Sequence, residues 1–101
     1  MIRVSVMYAG APGKKFDWDY YMKKHIPAVR QLVGHGLVRV EVDKGIGSAQ
    51  PGAAAPFVAI AYMYFNTMED MLKVQSQSGA SMADIPNFTD IQPQIQISEM
   101  M

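Results

Sequence analysis

Phe57-Val58-Ala59-Ile60-Ala61-Tyr62-Met63-Tyr64-Phe65 is the stretch whose reading decides the fold of this 101-residue chain. Successive side chains of a strand point to opposite faces. Phe57, Ala59, Ala61, Met63 and Phe65 therefore share one face, and Val58, Ile60, Tyr62 and Tyr64 the other. A strand that is apolar on both faces has to be covered on both. Downstream, Thr67-Met68-Glu69-Asp70 has the form of a helix cap with acids in the first turn. It predicts a helix with Met68, Met71, Leu72, Gln75, Gly79 and Met82 along one side, whose end is left open by the polar run Gln75 to Ser81. Asp84 to Asp90 reads as a loop around Pro86, and Ile91, Ile95 and Ile97 mark a last strand. Pro93 confines that strand to an edge or a bulge.

Upstream, Lys44 to Pro56 is a long Gly- and Ala-rich connection, and Leu37 to Asp43 alternates valines with Arg39, Glu41 and Asp43. Ile2, Val4, Val6 and Tyr8 alternate with Arg3, Ser5 and Met7 as a first strand, and Ala9 to Lys15 is a loop. Asp17 is a good N-cap for a helix reaching about Val33 and stopping at Gly34 or Gly36. Phe16 and Tyr21 are spaced as a hydrophobic staple. Pro27 removes a donor and crowds the carbonyl of Lys23, which predicts a bend. The order β-α-β-β-α-β defines an α+β ferredoxin-like plait, with two helices on one face of a four-stranded antiparallel sheet, over a single domain 1–101. The helices cannot cover the second face of the third strand. A second copy of the chain is the economical cover, so a homodimer joined through its sheets is expected, forming a closed barrel. Arg3, Arg39 and Glu41 would then meet inside that barrel.

Nine Lys and Arg balance nine Asp and Glu, which leaves no basic surplus for a phosphate backbone, and nucleic-acid binding is not expected. Cysteine is absent, which removes disulfides and thiolate chemistry. No apolar run approaches the length of a membrane span, and the chain opens on a strand pattern without a leader, so a cytoplasmic protein is expected.

Chemistry points to the first helix. Trp18, Met22, His25, Ile26, Val29, Leu32 and Val33 fall on one side of it at about 100° per residue. His25 should thus face whatever the helix packs on, either as a core imidazole satisfied by backbone or as an acid–base group at cellular pH. Tyr21, one turn earlier, can meet it across an i, i+4 step. Tyr20 points about 100° away, toward solvent or a partner. Asp90 offers a carboxylate that could orient His25, whereas Asn87 and Thr89 suit turn and capping work. Trp18, Met22, Tyr8, Asn87 and Phe88 are the candidate substrate-binding positions, and His35, between two glycines, has no catalytic role. His25 and His35 have no carboxylates at ligand spacing, Gly45-x-Gly47 does not open a helix, and no serine has a nucleophile-elbow context. No metal and no cofactor are expected.

The pattern Phe16-x-x-x-Tyr20-Tyr21-x-x-x-His25-x-Pro27, with the late segment Asp84-Ile85-Pro86-Asn87-Phe88-Thr89-Asp90, resembles the EthD (ethyl tert-butyl ether degradation) family of the dimeric α+β barrel superfamily. The likeness extends over nearly the whole chain, apart from Gly45 to Pro56. That superfamily includes polyketide cyclases, muconolactone isomerase, cofactor-free monooxygenases, decarboxylases, dehydratases and haem enzymes. In many of these a small-molecule pocket lies between helices and sheet, where His25 points. The resemblance implies a small cofactor-independent enzyme of lyase or isomerase type, a dehydratase, decarboxylase or cyclase, in a catabolic pathway. Its substrate would be an aromatic or polyketide-like carbonyl compound, with His25 as acid–base and Tyr21 as donor to the carbonyl. The alternatives are a non-catalytic dimeric small-molecule binding protein, a cofactor-free monooxygenase, or a purely structural dimer.

Overall fold

The computed structural model describes all 101 residues. Strands β1 (Ile2–Ala9), β2 (Leu37–Lys44), β3 (Phe57–Phe65) and β4 (Gln94–Glu99) form one antiparallel sheet in the order β2-β3-β1-β4. This is the ferredoxin-like plait. The two strands with the most buried residues, β1 and β3, take the centre, and β4, which follows Pro93, takes an edge where a missing donor costs no ladder bond.

The first helix is three pieces in one rod: α1 (Trp18–Tyr20), a π-helical turn (Tyr21–His25) and α2 (Ile26–Arg30). Asp17 caps it, its carboxylate accepting the backbone N–H of Tyr20 at 3.1 Å. The π turn is closed by the N–H of Ile26 donating to the carbonyl of Tyr21. It ends at His25, one residue short of Pro27, which cannot donate and whose ring would crowd the Lys23 carbonyl in a regular α-helix. The wider turn absorbs both difficulties. Helix ends before the expected Val33: irregular turns carry the chain from Gln31 to Gly36, where φ is 116° and the Val74 side chain lies against the backbone.

The second helical region is also broken. α3 (Met68–Gln75) starts at the Thr67 cap, whose hydroxyl accepts the Asp70 N–H at 3.1 Å. α4 (Gly79–Asp84) begins anew after Ser76 to Ser78, and a 3₁₀ turn (Ile85–Asn87) stands where a loop was expected. Within α3 the inward face also differs from the expected one: Met71 and Val74 are buried, while Met68 and Leu72, expected on the core side, are exposed.

The helix-facing side of the sheet carries two apolar clusters. One joins Tyr8, Tyr21, Ile26, Ala59, Ile85, Phe88 and Ile91; the other joins Val4, Val29, Leu37, Phe65, Met71 and Val74. The opposite face carries the other side of β3, with the Arg39 guanidinium 3.8 Å from the centre of the Tyr64 ring and Arg3 over Tyr62. No helix is long and apolar enough to cross a membrane.

Candidate functional site

Between the helices and the sheet, residues of both apolar clusters line a cavity of about 190 Å³. Its polar groups are few: Tyr8 from β1, Tyr21 and His25 from the π turn, and Gln75, Ser78 and Ser81 around the α3–α4 break. The lining residues Met82, Ile95 and Ile97 are themselves half-exposed, which puts the opening between α4 and the β4 edge.

His25 is 7% exposed. Its Nδ1 lies 3.0 Å from a carboxylate oxygen of Asp84, at the end of α4. The other Asp84 oxygen accepts the Tyr20 hydroxyl at 2.6 Å and the Asn87 side-chain amide at 2.9 Å. These donors, Tyr20 first and then Asn87, hold the Asp84 carboxyl below the usual carboxylate range. The same bond raises the Tyr20 phenol. An ionised Asp84 accepts only, so the bond fixes the His25 proton on Nδ1. Nε2, with no hydrogen bond in the chain, is left with a free lone pair.

Tyr21 is fully buried, and its ring stacks on the His25 imidazole with centroids 5.5 Å apart and planes 14° apart. Its hydroxyl oxygen is sealed from solvent and has no hydrogen-bond partner. Tyr8 stands edge-on to it at 6.0 Å. Burial pushes the Tyr8 phenol up to about 12 and raises Tyr21 further, with Tyr8 itself adding to the shift. Both phenols are therefore proton donors throughout the neutral range.

The other sequence candidates take different places. Asp90, expected to orient His25, is exposed and accepts the backbone N–H of Lys15 at 2.9 Å, so it ties down the loop before the helix; that bond also lowers its carboxyl. Phe88 is buried against the His25 ring at 4.6 Å and backs the site without lining the cavity. Trp18 packs on Phe16 and Tyr21 behind the same wall. Asn87 touches the site only through Asp84, and Met22 points outward. Tyr20 does not face solvent freely: it is half-buried on Asp84. No group of three or more His, Asp or Glu side chains could hold a metal ion.

Asp84 and Tyr20 are the members that sequence reasoning missed. A signal existed, because Asp84 opens the segment Asp84-Ile85-Pro86-Asn87, with an amide three residues after a carboxylate. The 59 positions separating Asp84 from His25 hid the partnership.

A small α+β plait with a helix-to-sheet cavity is the class these features define. The EthD domain profile matches residues 13–92, and this chain belongs to the EthD family. Among solved structures it is similar to an EthD-like protein of Ralstonia eutropha JMP134, at 36% identity and a TM-score of 0.89, covering 97% of this chain and 89% of that one. An EthD family protein of Bacillus halodurans C-125 superposes at a TM-score of 0.79 with 22% identity, covering 100% and 99%. A dimeric protein of ferredoxin-like fold from Bacteroides fragilis NCTC 9343 shares the architecture at a TM-score of 0.54 and 11% identity, covering 98% and 95%. No curated protein gives a significant sequence match.

Proposed function

We propose that this protein is a cofactor-independent enzyme that transfers a proton next to the carbonyl group of a small, largely apolar substrate. One observation carries the reading. An imidazole whose Nδ1 is fixed by Asp84 stands on an apolar cavity, stacked on a buried phenol that has no partner. His25 Nε2 takes a proton from the carbon adjacent to the carbonyl. The C–H electron pair moves into the C=C bond of an enolate, and Tyr21 donates a hydrogen bond to the oxygen on which the charge collects. Asp84 stabilises the imidazolium so formed. Return of the proton from the imidazolium to another carbon gives isomerisation. Its delivery to a β-hydroxyl, whose C–O bond breaks as the enolate collapses to an enone and water, gives dehydration; both belong to the lyase and isomerase class.

The outer sheet face supports a second part of this reading, a homodimer. Ile60 and Tyr62 are only half-buried there, beside the Arg3 and Arg39 guanidinium groups stacked on Tyr62 and Tyr64, and the Bacteroides fragilis neighbour is a dimeric protein. Light scattering should give twice the chain mass, and a stable monomer would refute it.

The test of the chemistry is exchange of solvent deuterium into the α-carbon of aromatic and polyketide-like ketones, followed by NMR. His25→Gln should slow exchange by about 10²- to 10⁴-fold while binding persists. Undiminished exchange in that variant would refute the assignment. Ligand binding with no exchange even in the wild type would favour a non-catalytic binding protein.

A further inference from the structure

The cavity departs from an ordinary apolar pocket in its two phenols and in its complete lack of Lys, Arg, Asp and Glu. Resting on the proton-transfer reading above, we propose that Tyr8 and Tyr21 together clamp one oxygen atom of an uncharged, single-ring-sized ligand, and that the site excludes carboxylates. Four observations lead there.

The Tyr21 hydroxyl has almost no accessible surface and no hydrogen-bond partner, so it stands in the cavity wall as a donor without an acceptor. Native proteins rarely leave such a group unpaired, and an oxygen entering the cavity would satisfy it. Tyr8, only 1% exposed, lines the same cavity, with its ring centroid 6.0 Å from that of Tyr21. Two phenols on the wall of one cavity that both keep their protons suit one acceptor with two lone pairs, such as a ketone or enolate oxygen.

Charge selects further. An anionic ligand would have to lose its hydration with no cation among the lining groups to receive it. The positive charge that His25 gains on protonation is already matched by Asp84. A carboxylate in this cavity would be buried unpaired. Size sets the last limit: an apolar protein cavity of about 150 Å³ accepts a benzene molecule. The 190 Å³ here leaves room for one ring and a short substituent.

The experiment uses three probes of similar shape: acetophenone, isopropylbenzene, which lacks the oxygen, and benzoate, which is charged. Titrations are read by calorimetry on the wild type and on Tyr8→Phe, Tyr21→Phe and His25→Gln. Acetophenone should bind about 10- to 100-fold more tightly than isopropylbenzene, and benzoate should not bind measurably. Tyr8→Phe and Tyr21→Phe should each weaken acetophenone by about 3- to 10-fold and leave isopropylbenzene unchanged. Equal binding of acetophenone and benzoate, or an acetophenone affinity indifferent to Tyr8→Phe, would overturn the clamp, as would failure of all three probes to bind. His25→Gln separates the two readings. It should keep acetophenone affinity, so a failed clamp appears in the binding series and a failed proton-transfer role appears only in deuterium exchange.

Discussion

Replacing Tyr21 by phenylalanine should make the ligand-free protein more stable. The phenol ring is fully buried and packs on Phe16, Trp18, His25 and Phe88, and Phe keeps every one of those ring contacts. What the substitution removes is a hydroxyl oxygen shut away from water without a hydrogen-bond partner. Leaving a polar group buried and unsatisfied costs about 1–3 kcal/mol. Loss of the packing around one oxygen atom offsets part of that, so a net gain of about 1 kcal/mol is expected, or about 4–8 °C in Tm for a chain of this size. Urea unfolding followed by the fluorescence of Trp18, the sole tryptophan, measures it directly. The midpoint should rise with an unchanged slope. A variant destabilised by about 1 kcal/mol would mean that the hydroxyl is bonded in the folded protein, and the argument that it waits for a ligand oxygen would fail. Under saturating acetophenone the gap should close, because only the wild type gains the bond and a 3- to 10-fold tighter complex adds about 0.7–1.4 kcal/mol to it.

Asp84→Asn should shift the His25 ring from a single Nδ1–H form toward a tautomer mixture, visible in imidazole ¹⁵N shifts, and slow deuterium exchange by about 10- to 100-fold. Tyr20→Phe, which removes one of the donors to Asp84, should do less on both readouts. The folded Asp84 carboxyl lies below its unfolded value, so its contribution to stability is present above about pH 4 and is lost as pH falls through the lowered value; Asp84→Asn should flatten that acid limb. The Tyr8 phenol is displaced the other way, from 10.0 to about 12, so stability should fall as pH climbs through that interval, and Tyr8→Phe should blunt the fall in alkaline unfolding curves. Gly45→Ala should cost about 1–3 kcal/mol in thermal unfolding, because a Cβ there runs into the Phe57 carbonyl and the Ala55 side chain. A neutral result would show that the 45–56 connection yields easily.

The elements of this fold whose residues carry their own local physics were legible in sequence. β3 has the bounds that its unbroken apolar run defines, and Asp17 and Thr67 cap the helices for which their short oxygen-bearing side chains suit them. What escaped was geometry set by departures from regularity. A helical wheel of constant pitch puts Tyr20 toward solvent, whereas in the folded chain its hydroxyl reaches Asp84. The same wheel carries one face from Met68 through Met82, but the chain breaks at Ser76 to Ser78; within α3 itself the helix is turned so that Val74, not Leu72, enters the core. Asp90 was the carboxylate expected on His25 because it precedes the last strand. The 3₁₀ turn after α4 instead brings Asp84 to the ring and sends Asp90 to Lys15.

The π turn at Tyr21–His25 can be viewed as an α-helix carrying one surplus amino acid. Removal of Lys23 would restore an uninterrupted ladder and swing everything upstream by about 100°. Trp18 and Tyr20 would leave their ring partners although their own codons were untouched, while the rod from Ile26 onward stayed seated on the sheet. A single in-frame codon loss would thus dismantle the imidazole's surroundings and spare the scaffold.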